Sequence, residues 1–403
     1  MQVRRWWIRC AIVALAAAGC NATSFWVPVG STADRFAISG FDQDASGFVV
    51  VGQSRAVPSD YQERLYKLDG SGHTLWFVNL DALDPWGLAD GKVRTLPGGG
   101  YLVCGHAEEG YPSANERLVL AELDSTGDPV WTTRFAENEL WSPSCSSIHV
   151  TTEGYAAFYW GYSLPTNDTN PHLLLRTDAA GTPLATVELE PDLSGGMSGI
   201  VTSDGGFAYV KDVESTQPLP SPPDHDPVLV KLDPLGQPVW QRTYTRDLLE
   251  ERAGSIQQTS DGGFVLAGQD LPYYPDQNNQ VWVRKTDSGG NEEWVNDVAN
   301  DVSSKGGSAV ENGTSGYVVR ANRNGGTQQA FPELLSLDSA GQVQSMTIFG
   351  APSCHVDGSS LKRTTDGGFV FHASAYPPSS SFPHYLVKTD SALTAVPPPA
   401  DCT

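Results

Sequence analysis

Carboxylates dominate the residues of this sequence that could do chemistry. There are 47 Asp and Glu residues against 25 Lys and Arg in 403 residues, a formal net charge of −22. In the segment FDQDASG, Asp42 and Asp44 alternate with Ser46 as the first ligands of a calcium loop do. Val50 stands near the position where such a loop needs its later acidic ligand. We therefore expect no metal and no other cofactor, with Asp42 and Asp44 as the nearest approach to a metal site.

The remaining polar residues form no recognisable catalytic set. The histidines show neither the HExxH spacing of zinc-dependent proteases nor an HxH pair. A chain this acidic repels phosphate backbones, which argues against nucleic acid as a partner. The sequence alone therefore assigns no catalytic residue.

The N-terminus has the features of an export signal. A basic start is followed by an apolar stretch from Cys10 to Ala18 that is too short to span a bilayer. The segment AAGC, ending at Cys20, resembles the lipobox of bacterial lipoproteins, although Ala17 stands where that family usually has Leu. The resemblance implies that residues 1–19 are removed and that Cys20 is lipidated. The alternative is an ordinary signal peptide cleaved after the alanines that precede Gly19.

Two sequence marks recur seven times along the chain. The first is the Asp of an Asp-x-x-Gly turn, whose seventh copy lacks the Gly: Asp69, Asp124, Asp178, Asp233, Asp287, Asp338 and Asp390. The second is an aromatic residue that follows Gly and opens a β-prone run: Phe48, Tyr101, Tyr155, Phe207, Phe264, Tyr317 and Phe369. Successive aspartates lie 51 to 55 residues apart, which indicates seven structural repeats. Because Asp favours turns, we interpret the seven aspartates as structural.

Each repeat contains four β-prone runs. In the clearest copy, Asp261-Gly262 predicts a tight hairpin and the later DSGGN predicts a second, longer one. Four strands in each of seven repeats are typical of an all-β, seven-bladed β-propeller with antiparallel blades. The sequence therefore predicts one propeller domain over residues 20–403, ending in a short Pro-rich tail.

The ring is expected to close at the N-terminus. A Trp recurs in the fourth strand, seven residues after the Asp, as Trp76, Trp131, Trp240 and Trp294. The seventh repeat has Pro397 there, and proline cannot donate to a sheet. The segment SFWVPVG matches the fourth strands with Trp26 in the tryptophan position. We predict that this segment supplies the outer strand of blade seven and leaves no bare edge.

The repeat resembles that of bacterial exported β-propeller proteins, with T-x-DGG-[FY] followed by K-x-D-x-x-G-x-x-x-W. This resemblance covers residues 24–396 and implies the fold. The half-repeat LDxxGxxxW is also similar to the repeats of pyrroloquinoline-quinone-type propellers. That group includes quinoprotein dehydrogenases and a lipoprotein scaffold of outer-membrane assembly. Its members have eight blades of shorter period, and the dehydrogenases carry adjacent paired cysteines that this sequence lacks.

Four cysteines remain in the expected mature body besides Cys20. An even number in an exported chain suggests two disulfides with three possible connectivities. Cys104 lies in the second strand of repeat two, and Cys145 opens repeat three, so the two are expected to lie close together. Cys354 opens repeat seven, and Cys402 lies in the tail. We predict the pairs Cys104–Cys145 and Cys354–Cys402.

The segments between the second and third strands vary most among the repeats. All seven should emerge on one face of the disc, where variable loops on a rigid scaffold usually bind partners. Their aromatic residues are the predicted ligand-binding set: Tyr61, Tyr111, Tyr273, Tyr274, Phe331, Tyr376 and Phe382. The alternative is that these side chains only pack within their own loops.

The sequence is compatible with two functions. The first is a monomeric, non-catalytic binding or scaffold module for an unknown protein or glycan. The N-terminal lipid would anchor it to a bacterial cell-envelope membrane, at the outer membrane or cell surface. The second is a hydrolase or lyase with an acidic site at the centre of the propeller. Two or more carboxylates meeting a His or Arg on the axis would favour the enzyme.

Overall fold

The computed structural model confirms a seven-bladed β-propeller in which every blade is a four-stranded antiparallel sheet. The structure describes residues 24–30, 36–57, 60–84, 87–108, 116–135, 140–163, 170–190, 197–214, 225–246, 249–272, 279–300, 307–314, 316–324, 330–350, 355–376 and 383–397. Within these ranges the remaining regular element is one short 3₁₀ helix, Leu80–Ala82.

The first three blades follow one another along the chain. Blade one contains β2 (Ala37–Asp44), β3 (Gly47–Val57), β4 (Asp60–Asp69) and β5 (Thr74–Asn79). Blade two contains β6 (Ala89–Thr95), β7 (Tyr101–Glu108), β8 (Glu116–Leu123) and β9 (Pro129–Phe135). Blade three contains β10 (Leu140–Val150), β11 (Gly154–Ser163), β12 (His172–Asp178) and β13 (Pro183–Glu190).

The remaining blades repeat this order until the last one. Blade four contains β14 (Ser198–Val201), β15 (Phe207–Glu214), β16 (His225–Leu232) and β17 (Pro238–Thr243). Blade five contains β18 (Leu249–Gln258), β19 (Phe264–Pro272), β20 (Gln280–Thr286) and β21 (Glu292–Asn300). Blade six contains β22 (Ser308–Glu311), β23 (Tyr317–Asn324), β24 (Ala330–Leu337) and β25 (Val343–Ile348). Blade seven contains β26 (His355–Arg363), β27 (Phe369–Tyr376), β28 (His384–Thr389) and the N-terminal β1 (Phe25–Pro28).

We name the strands of a blade A to D from the axis outward. Because neighbouring strands are antiparallel, the A–B and C–D turns lie at one end of each blade and the B–C connections at the other. The first end forms the turn face of the disc and the second forms the loop face. Apolar side chains pack between adjacent blades, as where Val49 and Leu65 of blade one meet Val103 of blade two.

A buried cation on strand C pairs with the acid of the A–B turn. In blade one, Nζ of Lys67 lies 2.7 Å from Oδ1 of Asp44. The same pair recurs as Arg176–Glu153, Lys231–Asp204, Lys285–Asp261 and Lys388–Asp366. The two repeats whose turns lack an acid, LPGGG and NGTSG, carry Glu122 and Ser336 on strand C instead. The cation is therefore present only where a turn carboxylate pairs with it, as the cost of burying a charge requires.

The seven repeat aspartates shape the C–D turns. In blade one, Oδ1 of Asp69 accepts hydrogen bonds from the backbone N–H groups of Ser71 at 2.8 Å and His73 at 2.9 Å. The same two bonds occur at Asp124, Asp178, Asp233, Asp287, Asp338 and Asp390. The structural interpretation of these residues is confirmed.

The glycine of the C–D turn also packs against the preceding blade. Gly181 has a φ of 75°, and a Cβ added there would lie 2.4 Å from the ring of Trp131 in blade two. In blade seven the glycine position holds Leu393, which is buried at a φ of 57°. The preceding blade has Ser345 in the tryptophan position, so the larger turn residue accompanies the smaller outer-strand residue.

Closure by the N-terminal strand is confirmed, but the predicted register is wrong by one residue. Lys388 of β28 pairs with Phe25 of β1, whereas the equivalent Lys67 pairs with Trp76. Phe25, and not Trp26, therefore holds the tryptophan position. In blade one a C–D turn followed by a bulge fixes the register of the outer strand. The N-terminal strand arrives without such a turn, so its register depends on packing alone.

The first predicted disulfide is present. Cys104 of β7 and Cys145 of β10 are bonded, with Cα atoms 6.1 Å apart, and the bond joins blades two and three. Cys20, Cys354 and Cys402 lie outside the described residues, so the lipidation and the second disulfide remain predictions. No helix in the described part of the chain is both long and apolar enough to cross a membrane.

Candidate functional site

Three of the seven predicted binding aromatics lie in the described part of the chain. Four of the seven lie outside the described residues: Tyr111, Tyr273, Tyr274 and Phe382. The backbones of Tyr61 and Tyr376 lie at the loop-face ends of β4 and β27. Phe331 is half-buried at the start of β24, and its ring lies beside Gly350, which follows β25. The structure thus places these three at the predicted face, and their binding role stays a prediction.

Protein cations and hydroxyls engage both carboxylates of the incomplete calcium motif. Asp44 accepts hydrogen bonds from Lys67 and Ser46, and Asp42 accepts a 2.9 Å bond from Lys362 of blade seven. Asp42 and Asp44 therefore hold the turn and the seam between blades. Within the described residues, no three His, Cys, Asp or Glu side chains are grouped as a metal site requires.

A cavity of about 720 Å³ lies on the axis at the turn face. Strands A of blades one to five line it, and Pro97 and Ser203 of two A–B turns form part of its rim. Its polar lining includes Asp42, Gln43, Arg94, His149, Gln257 and Gln258. The sequence interpretation missed this pocket. The available signal was the residue two positions before the first turn residue of each repeat. That position is polar in five repeats, as Asp42, Arg94, His149, Gln257 and Lys362, and apolar in the other two, as Ile200 and Val310.

Asp42 is the carboxylate of the described pocket lining, and two cations lie close to it. Burial raises the pKa of this carboxyl, but the charges of Lys362 and Arg94 together with the hydrogen bonds from Lys362 and Thr95 outweigh burial and hold the pKa below its usual range. One oxygen contacts Lys362, and the other accepts hydrogen bonds from N–H and Oγ1–H of Thr95 at 2.9 and 3.1 Å. Arg94 lies 3.6 Å from Asp42, beyond hydrogen-bond distance. Two cations thus surround one ionised carboxylate.

His149 is buried and neutral. Burial, followed by the charge of Arg94, lowers its pKa to about 3. Its Nε2 lies 2.9 Å from the carbonyl oxygen of Gly199, an atom that can only accept. The proton of the neutral ring is therefore on Nε2, and Nδ1 is an acceptor.

The described lining of the turn-face pocket does not form an acidic site. Asp42 is the single carboxylate in the pocket lining, and cations hold it ionised. Acid-catalysed hydrolysis by two carboxyls needs a second carboxyl group with a different pKa. The described residues that line this pocket do not supply that pair.

A histidine pair lies at the seam between blades seven and one. His372 and His384 stack with ring centroids 5.0 Å apart, and Nε2 of the first lies 2.8 Å from Nδ1 of the second. The backbone N–H of Ile38 in blade one donates to the same Nδ1 at 3.3 Å. Burial lowers the pKa of His372 to about 3 and of His384 to about 4, so both rings are neutral near pH 7. Sequence spacing did not reveal the pair because the register of β27 and β28 brings it together.

The comparisons with known proteins support the fold. No protein-family model matches the chain, and no curated protein matches it. The β-propeller domain of the Trilobed protease from Pyrococcus furiosus is similar in structure, with a TM-score of 0.51 and 10% identity. The match covers 88% of this chain and 97% of that domain. That domain is described as having an open Velcro topology, whereas β1 closes the ring here.

Two further solved structures match. A protein of unknown function from Dyadobacter fermentans has a TM-score of 0.48 and 10% identity, over 75% of this chain and 94% of that one. A puromycin hydrolase mutant has a TM-score of 0.49 and 14% identity, over 84% of this chain and 50% of the hydrolase.

Proposed function

We propose that this protein is an exported, lipid-anchored binding or scaffold module whose loop face takes up a protein or a glycan. In this proposal the ring is a rigid, non-catalytic scaffold. It is a monomer held at the cell envelope through Cys20.

The contrast between the two faces of the disc carries the proposal. Turn-face connections are short and alike, and Asp side chains hydrogen-bond the C–D turns in all seven repeats. The B–C connections differ in length, from residues 58–59 in blade one to residues 215–224 in blade four. Variable segments on a rigid frame commonly form binding sites. The aromatics in these segments suit protein surfaces and sugar rings.

The binding face can be tested with a double substitution. A glycan array and a pull-down with the purified mature body would first identify a ligand. Changing Tyr273 and Tyr274 together to Ala should then weaken binding by roughly 2 kcal/mol or more, because buried interface aromatics contribute that much. Ser288→Ala, in a C–D turn of the turn face, is the control and should leave the affinity unchanged. Loss of affinity in the control but not in the double variant would place the partner on the turn face.

The anchor can be tested by fractionation. Cys20→Ser should move the protein from the membrane to the soluble fraction and remove the mass of the lipid, because attachment requires acyl chains. Cys10→Ser, which alters a residue of the predicted signal, is the matched control and should stay with the membrane. A membrane-bound Cys20→Ser protein of unchanged mass would contradict the anchor.

A further inference from the structure

The axial pocket differs in charge from the protein around it. The whole chain has a formal charge of −22. The described lining of the pocket holds one cation, Arg94, and one carboxylate, Asp42. Lys362 is not part of the lining, but it pairs with Asp42 from blade seven, so these three side chains together carry a net charge of +1. An anion entering the pocket thus meets an attractive local field, which low-dielectric walls strengthen.

Among the described residues of the pocket wall, Arg94 is the cation whose guanidinium N–H groups make no hydrogen bond. Lys362 is committed, since its Nζ lies 2.9 Å from Asp42 and 2.7 Å from the carbonyl oxygen of Phe41. The guanidinium of Arg94 lies 3.6 Å from Asp42, whose oxygens already accept other bonds, and about a third of its side chain is exposed. A planar guanidinium with free N–H groups matches a carboxylate through two parallel hydrogen bonds.

Hydrogen bonds fix the orientation of two glutamine side-chain amides in the pocket lining. The side-chain oxygen Oε1 of Gln43 accepts a hydrogen bond from the backbone N–H of Thr365 at 2.9 Å. Oε1 of Gln257 accepts one from the backbone N–H of Glu311, also at 2.9 Å. These bonds fix which end of each amide is the acceptor and leave the Nε2 groups as donors. The pocket wall is therefore rich in donors, with Nδ1 of His149 as an acceptor.

We propose that the axial pocket binds a small carboxylate, with Arg94 holding the carboxylate and the amides of Gln43 and Gln257 hydrogen-bonding oxygens of the ligand. The cavity volume lies within the range of small-molecule sites. Among the described lining residues Arg94 is the one cation, and the glutamine amides are neutral donors, a combination that suits a singly charged polar acid. The pocket lies on the turn face, so the proposal is independent of a partner on the loop face.

The test is a titration of the full mature protein with D-glucuronate, a carboxylate that carries hydroxyls, and with D-glucose as its uncharged counterpart. Binding is followed by nuclear magnetic resonance of the Arg94 guanidinium and the Gln257 amide. We expect saturable shifts with D-glucuronate that weaken as salt is added, and none with D-glucose. Equal response to both sugars, or no response to D-glucuronate at millimolar concentration, overturns the proposal.

Three variants locate the site. Arg94→Gln should weaken D-glucuronate binding by about 10- to 100-fold, the usual effect of losing a charge-assisted hydrogen bond. Gln257→Glu keeps the acceptor for the Glu311 N–H but replaces the donor with a negative charge, so it should abolish binding. Arg242→Gln, which changes an arginine on the outer strand of blade four, is the charge-matched control. Loss of binding in the Arg242 variant equal to that in the Arg94 variant would refute the assigned site.

Discussion

A single buried carboxyl group, that of Glu63, joins two neighbouring blades. Glu63 on β4 is fully buried, and its Oε1 accepts hydrogen bonds from the N–H of Gly91 at 2.9 Å and the hydroxyl of Ser39 at 3.1 Å. Burial raises the pKa of Glu63 to about 7, against the effect of these two bonds. Glu63 thus joins the strands of blades one and two as a carboxyl that binds its proton more tightly when folded.

The pKa of Glu63 predicts a pH dependence of stability. A raised pKa stabilises the folded state below about pH 4.5, and this contribution is lost as the pH rises to about 7. Gln at this position keeps the acceptor oxygen and cannot ionise. Relative to the parent, Glu63→Gln should therefore gain about 2–3 kcal/mol of unfolding free energy between pH 5 and pH 8. Denaturant unfolding at both values measures it.

The control for this experiment is Glu188→Gln, which changes an exposed glutamate on the outer strand of blade three. Its stability should follow the parent at both pH values. If Glu63→Gln also runs parallel to the parent, the carboxyl of Glu63 titrates normally in the folded protein.

The repeated Asp-x-x-Gly motif accounts for the turns that connect strands C and D of the blades. The Asp-x-x-Gly turns were predictable from the sequence because their hydrogen bonds are local, with Asp69 bonding residues two and four positions later. The contact between Gly181 and Trp131 was not predictable in the same way, since it joins different blades. The motif LDxxGxxxW therefore has two structural roles. Its Asp forms a local turn, and its Gly and Trp pack against each other between adjacent blades.

Two glycines separate these roles experimentally. Gly181 and Gly205 both have positive φ, 75° and 80°, but a Cβ at Gly205 would meet nothing within 4 Å. Gly205→Ala should cost only the strain of the left-handed backbone, about 1–2 kcal/mol. Gly181→Ala should cost roughly 1–3 kcal/mol more because the methyl group would press on Trp131. Equal losses of unfolding free energy in the two variants would show that the ring moves aside freely.

The sequence determined the ring at the level of the whole molecule, but not every contact within it. Blade number, strand number and the closing strand were predictable because seven copies of one pattern repeat. The position of Phe25 in place of Trp26 was not, because β1 is far in sequence from its partner β28. The axial pocket likewise needs the closed ring, since Arg94 and Lys362 meet Asp42 from the blades on either side of it.

In the proposed function, the loop face takes up the partner. Hydrogen exchange of the mature protein, with and without the ligand found by the array or the pull-down, tests it directly. We predict slower exchange in the B–C connections, most of all in residues 273–279, and unchanged exchange in the C–D turns such as residues 287–291. Protection confined to the A–B and C–D turns would contradict the claim and place the partner on the turn face.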